Sequence, residues 1–261
     1  MSYYIASCSC GNDSMAMVHE LIRRNEPLNE VIRYNNGMDF ECIDRLWEKV
    51  KEKCEPLGIK CTEIHPEKTF EYTMFEQPHK GKHDGIIRYG YGWCGGFCRE
   101  GTRQKKLFLD KYCEAIEDVV VYVGIAFDEV NRTPDKPYKK HPLKDWGYSQ
   151  ADCLEINRQN GVEWFEKASK TESGYIDLYT ILDRVSCWCC ANKNAWELWN
   201  MWYYLPQYWE RLKEMQSKIG RPMKKFCNKK FGDYGNVFDL ERVFEKGYVP
   251  KHRKKEGADN A

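Results

Sequence analysis

Apolar and polar positions change period in regular blocks along the first half of the chain. Tyr3-Ile5-Ala6 is a short apolar run of strand character. Met15, Met17, Val18, Leu21 and Ile22 then recur at helical spacing to about Arg24. Val31-Ile32-Arg33-Tyr34 reads as a second strand, ending at Asn35-Asn36-Gly37. Ile43, Leu46, Trp47 and Val50 mark one face of a second helix from Cys42 to Leu57, and residues 59–64 read as a third strand. Residues 66–93 have no clear period and predict a long loop, of the kind that covers the site in many α/β enzymes. Residues 99–113 predict a basic helix. Val119-Val120-Val121-Tyr122-Val123, continuous and β-branched, predicts a buried strand. Residues 149–167 and 191–219 read as helices. The alternation predicts an α/β fold: a mostly parallel sheet flanked by helices, Rossmann-like, with a C-terminal helical subdomain. The expected bounds are 1–148 for the α/β core, 149–250 for the helical part and 251–261 for a disordered basic tail.

Composition narrows the setting. Lys and Arg number 41 against 40 Asp and Glu, a net charge of +1, which excludes a generally polybasic nucleic-acid binder but not a local basic patch. No apolar run approaches the roughly 20 residues of a membrane helix, so no membrane partner is expected. The first residues lack a charged leader and an apolar core, so no secretory signal is expected and the cytoplasm is the expected location. The 13 cysteines, an odd count in a chain of this size, argue for a reducing compartment rather than a disulfide scaffold. Cys42, Cys54, Cys61, Cys113 and Cys153 are scattered and read as packing residues. Cys94, Cys98, Cys187, Cys189 and Cys190 are clustered.

The loop after the first strand carries the first chemical signal. A strand, a run of Ser and Gly, and a helix start together offer hydroxyls, close backbone approach and the unpaired N–H groups of a helix N-terminus to a phosphate. Ser7, Ser9, Gly11 and Ser14 supply those features, and Asp13 can cap the helix or hold Mg²⁺. No Gly-Lys-Ser/Thr follows, so this is not a Walker A loop. An ordinary capped turn is the plainer alternative.

Ser9-Cys10-Gly11-Asn12-Asp13-Ser14 resembles the Ser-Gly-Gly-x-Asp-Ser loop of the PP-loop ATP pyrophosphatases (adenine-nucleotide α-hydrolases). Within that superfamily the chain is similar to the phosphoadenosine-phosphosulfate reductase family. Residues 34–40, 94–103, 123–132 (Val-Gly-Ile-Ala-Phe-Asp-Glu-Val-Asn-Arg) and Pro142-Leu143-Lys144-Asp145-Trp146 match further family segments in order. The resemblance implies an adenine nucleotide, ATP or an adenylylsulfate compound, with Mg²⁺. It assigns nucleotide contacts to Ser7, Ser9, Gly11, Asn12, Asp13, Ser14, Gly37, Gly124, Asp128, Glu129 and Arg132, and catalytic charge to Asp13, Arg99 and Arg132. The chain departs from the pattern at Cys10, where the family usually has Gly, at Asn12, where many members have Lys, and at Ala126, where many have Arg. Arg99, Arg103, Lys105 and Arg132 are the cations placed to compensate for Asn12. The late nucleophilic Cys motif of true sulfonucleotide reductases is missing; Cys227 does not match it.

Cys94-Gly95-Gly96-Phe97-Cys98 is a C-x3-C pair, and Cys187-Trp188-Cys189-Cys190 contains a C-x2-C pair. Together Cys94, Cys98, Cys187 and Cys190 can form a four-thiolate site for a [4Fe–4S] cluster or, alternatively, Zn²⁺. Cys189 is left over, and incidental spacing of buried thiols is the plainer alternative. The layout resembles the iron–sulfur adenylylsulfate reductases. The expectation is an enzyme that cleaves ATP to AMP and pyrophosphate to adenylate a substrate, coupled to sulfur transfer at the cysteine site. The acceptor, a nucleic acid or a small molecule, stays open, as does a homodimer. Reduction of an adenylylsulfate compound to sulfite is one alternative. A non-catalytic nucleotide-binding partner in a mobile-element or defence complex is another.

Overall fold

The computed structural model describes residues 2–81, 83–93, 98–132, 136–228 and 232–252. In chain order the elements begin β1 (Tyr3–Ser7), α1 (Asn12–Arg23), β2 (Glu30–Tyr34), α2 (Glu41–Cys54) and β3 (Lys60–Ile64). An antiparallel hairpin of β4 (Pro78–Lys80) and β5 (Ile87–Tyr89) follows. Then come α3 (Lys105–Glu114), β6 (Val119–Val123), β7 (Lys139–Lys140), α4 (Pro142–Asp145) and α5 (Gln150–Gln159). A second hairpin, β8 (Phe165–Lys167) with β9 (Tyr175–Asp177), leads into α6 (Leu178–Ile181), α7 (Ala195–Tyr204) and α8 (Pro206–Lys218). The hairpin of β10 (Phe226–Asn228) and β11 (Gly232–Tyr234) precedes α9 (Val237–Glu245).

Five strands form one sheet in the order β3-β2-β1-β6-β7, and every pairing is parallel. This is the expected α/β fold, a parallel sheet flanked by helices with further helices toward the C-terminus. β1 lies at the centre, with Ala6 opposite Val31 on one side and Tyr122 on the other. Successive connections run from β1 to β3 in one direction, and the chain returns to the other side of β1 as β6. The order therefore reverses between β1 and β6, and in such sheets ligands bind in the crevice beyond the strand C-termini there.

β2 is buried along its whole length, including Arg33, whose side chain is 1% exposed. A charge at that depth must be paired. Its guanidinium reaches Asp39 at 3.0 Å, Asp44 at 2.6 Å and Glu63 at 3.1 Å. These bonds tie the loop after β2 to α2 and β3. One apolar cluster extends from Met15 and Leu21 of α1 through Trp164 and Leu198 to Leu240 of α9, so the late helices pack into the same core as α1.

Four expected elements differ. The helix expected over 149–167 ends at Gln159: Gly161 has φ +69, and the chain re-enters as strand at Phe165. The helix expected over 191–219 is two helices. They part at Leu205–Pro206, because a proline in a helix interior removes an N–H and crowds the preceding turn. The basic segment begins with a π-helical turn, Arg99–Gln104, before α3. The stretch expected to be loop holds a π-helical turn, Tyr72–Glu76, and the β4–β5 hairpin. Of the expected tail, residues 253–261 lie outside the described residues. His252 is described: it stacks on Trp196 at 3.8 Å and pairs with Asp183 at 2.7 Å.

Candidate nucleotide cleft and cysteine cavity

A cleft of about 680 Å³ opens at the switch point. The 9–14 loop forms one wall and the 124–132 loop another; Lys105 and Lys106 of α3 and Tyr179, Asp183 and Arg184 of the C-terminal part line the rest.

The first wall follows from local geometry. Cys10 takes a left-handed backbone conformation, φ 55, which non-glycine residues adopt at some cost. A glycine would adopt this conformation without that cost. The strained turn is held from a distance: Trp164 Nε1 donates to the Cys10 carbonyl at 2.8 Å. Gly11 caps α1 in an extended conformation. Ser14 Oγ accepts from the Ser9 N–H at 3.2 Å and donates to the Gly11 carbonyl at 3.1 Å, closing the loop on itself. Gly124 brings the second wall into contact. A Cβ there would stand 2.7 Å from Ser14 Cα and 2.8 Å from Ser14 N, so only glycine allows this approach.

Asn12 is spent inside the protein. Its amide donates to Asp13 Oδ1 at 3.2 Å and to the Gln150 carbonyl at 2.8 Å, and its side-chain oxygen accepts from Asn157 at 3.0 Å. It joins α1 to α5 rather than serving as a free phosphate donor. Its backbone N–H donates to the Tyr179 hydroxyl at 2.8 Å. The Asp13 carboxyl is pushed up to about 6, first by burial and then by the nearby Glu129 and Asp128, with Arg132 opposing. Arg132 is itself paired to Glu129 at 2.8 Å.

Ser7, Ser9, Gly11, Asn12, Asp13, Ser14, Gly124, Glu129 and Arg132 thus line one cleft, as do Lys105 and Arg184, which have no carboxylate partner among the described residues. Gly37 and Asp128 do not line it; Asp128 accepts from the Gln150 N–H at 3.2 Å. Arg99 does not line it either. Its guanidinium lies 4.0 Å from the Tyr91 ring, beside a second cavity.

That second cavity, of about 110 Å³, is lined by Cys98, Cys187, Cys189 and Cys190, and by Phe70, Thr73, Met74, Tyr91 and Trp93 from the stretch expected to cover the site. Cys98 Sγ accepts from the Gly101 N–H at 3.4 Å, and Asn36 Nδ2 donates to Cys187 Sγ at 3.5 Å. A Cβ on Gly101 would sit 3.7 Å from both the Cys98 and Cys187 sulfurs. Burial pushes the Cys187 thiol up to about 12 and raises Cys189 as well. Gly101 and Thr102 line both cavities, so one turn separates cleft from thiols.

Cys94, with Gly95 and Gly96, lies outside the described residues. Among the described residues no three His, Cys, Asp or Glu side chains form a ready metal site. The soft, half-buried donor set of Cys98, Cys187 and Cys190 on one cavity nonetheless fits a thiophilic centre such as Zn²⁺ or an iron–sulfur cluster. Mg²⁺ needs less of the protein, since one or two carboxylates plus ligand phosphates suffice, and Asp13 with Glu129 fits that.

No protein-family model matches the chain, and no curated protein matches it. Among the described residues no helix is long and apolar enough to cross a membrane.

Proposed function

We propose that the chain is an adenine-nucleotide enzyme of the PP-loop kind. It would adenylate an acceptor with ATP and couple that step to sulfur chemistry at the cysteine cavity. The observation that carries this reading is the shared wall: Gly101 and Thr102 line both the nucleotide-sized cleft and the four-thiol cavity.

In the proposed reaction an acceptor oxygen attacks the α-phosphorus of ATP in line. The bond to the β-phosphate oxygen breaks, and pyrophosphate leaves with that electron pair. A sulfur nucleophile then displaces AMP from the acceptor. Lys105 and Arg132 line the cleft; with Arg132 released from Glu129, both would set positive charge beside the leaving pyrophosphate, and the helix start would add its dipole. Asp13 and Glu129 would hold Mg²⁺, which neutralises phosphate charge when bound. Cys98, Cys187 and Cys190, with Cys94, would hold a cluster or Zn²⁺; either would keep sulfur ligands deprotonated where burial alone opposes ionisation. The closeness of the cavities keeps an adenylated acceptor within reach of the thiol site.

The test is to purify the protein without oxygen, measure iron, sulfide and zinc per chain, and then supply ATP or adenylylsulfate. AMP and pyrophosphate formed together from ATP support adenylation. Sulfite formed from adenylylsulfate at the expense of a thiol reductant supports the sulfonucleotide-reductase alternative instead. Tight ATP binding with no turnover across candidate acceptors supports a nucleotide-binding partner. Cys98→Ser, Cys187→Ser and Cys190→Ser should each lower bound metal; unchanged metal content in any of them removes that residue from the ligand set.

A further inference from the structure

The 9–14 loop lacks a cation of its own. Asn12 starts α1 where a positive side chain would best serve a phosphate, but its amide is fully engaged by Asp13, Gln150 and Asn157. Its backbone N–H is engaged too, by the Tyr179 hydroxyl. Tyr179 lies 167 residues away in sequence, on α6, yet lines the cleft.

A phenol oxygen that accepts one hydrogen bond still has a proton to give. Among the described residues nothing accepts the Tyr179 proton. The ring is held in place: Trp164 meets it edge-on at 4.7 Å, and the Tyr179 N–H donates to Asp177 at 3.0 Å. Burial and the nearby Asp13 and Asp177 keep the phenol protonated at neutral pH. The polarised N–H of the helix start therefore feeds a hydroxyl whose own donor is free to face the cleft.

Five residues further on, Arg184 lines the same cleft and is exposed. Its neighbour Asp183 is engaged elsewhere, by Asn194 Nδ2 at 2.7 Å and by His252. Arg184 has no carboxylate partner among the described residues. One short segment thus presents a neutral donor to the helix start and an unneutralised guanidinium to the cleft.

We infer that residues 177–185 complete the anion site of the cleft, with Tyr179 Oη as a hydrogen-bond donor and Arg184 as the cation, for a pyrophosphate group. This rests on the reading of the cleft as a nucleotide site and deepens it. The phosphates are gripped from two sides, by the loop and by a segment remote in sequence, so the loop can dispense with a lysine.

The test is a calorimetric titration of inorganic pyrophosphate, and of ATP, into the wild-type chain, Tyr179→Phe and Arg184→Gln. Phe keeps the ring against Trp164, and Arg184 is a surface residue, so its variant folds as the wild type does. The wild type should bind both ligands, and each variant should bind pyrophosphate on the order of tenfold more weakly, the usual cost of one charge-assisted hydrogen bond. Wild-type affinity in both variants overturns this inference and leaves the nucleotide reading standing. Tighter binding by Tyr179→Phe also overturns it, since the phenol would then be blocking the N–H. A wild type that binds neither ligand overturns both the inference and the reading beneath it.

Discussion

The indole N–H of Trp164 donates to the carbonyl oxygen of Cys10 at 2.8 Å, across 154 residues of sequence. Cys10 is the residue with left-handed backbone in the loop, and its carbonyl lies in the buried core. The bond therefore holds a strained turn from outside it. Trp164→Phe removes the donor and leaves a buried acceptor unpaired. The expected cost is about 2 kcal/mol or more in stability, from the lost bond and the smaller ring. Urea denaturation reads the stability, and an ATP titration reads the accompanying loss of loop order. Unchanged values for both would remove Trp164 from this role.

Gly124 and Ser14 set the width of the cleft. Gly124→Ala forces a Cβ against the Ser14 backbone at 2.7 Å, where no flexible side chain can yield. The 124–132 loop must move off α1. The expected loss is about 1–3 kcal/mol of stability, as for overpacking elsewhere, with ATP binding weakened further than stability alone accounts for. Chemical denaturation and calorimetry measure the two effects separately.

Asp13 gives a pH signature. Its carboxyl titrates near 6 in the folded protein, against 3.8 in a free chain, because burial and then Glu129 and Asp128 disfavour its charge. Between those values the folded state holds the proton that the unfolded state has released. Stability therefore falls as pH rises from about 4 to 6, and the full penalty persists above 6. Asp13→Asn should stabilise the ligand-free protein by about 1–2 kcal/mol at pH 7.5, allowing for solvent screening. Near pH 4 the gain should vanish. A gain independent of pH would place the strain elsewhere. The same variant should weaken ATP binding in the presence of Mg²⁺.

The β1-to-β3 half of the sheet and β6 were legible in the sequence because their signals are local. Apolar period 3.6 marks α1 and α2, and a β-branched run marks β6. The two glycine-bearing loops were legible for the same reason, and the structure brings both to the switch point. What escaped was long-range. Trp164, Tyr179 and Arg184 carry no spacing that sets them apart from packing or surface residues, and only the folded chain places the first two on the loop and Arg184 in the cleft. Asn12 was legible as an uncharged residue, but not as one whose every amide group is spoken for, since its partners Gln150 and Asn157 lie on α5. The overlong helices were a matter of punctuation: Gly161 and Pro206 were the available stops.

If the cleft between β1 and β6 binds the phosphates of an adenine nucleotide, Gly11→Asp should abolish that binding. Gly11 has φ −83 at the cap of α1, and a Cβ there meets nothing closer than Ser9 Oγ at 3.6 Å. Asp is a favoured helix cap, so the variant should fold with wild-type or higher stability. Its carboxylate would stand in the phosphate loop and repel an anion. The measurement is an equilibrium titration of Mg²⁺–ATP into the wild type and Gly11→Asp, both prepared without oxygen. Saturable binding by the wild type, lost in a variant that melts no lower, is the predicted result. Equal binding by the two, or no binding by the wild type, would mean that this cleft does not hold nucleotide phosphates.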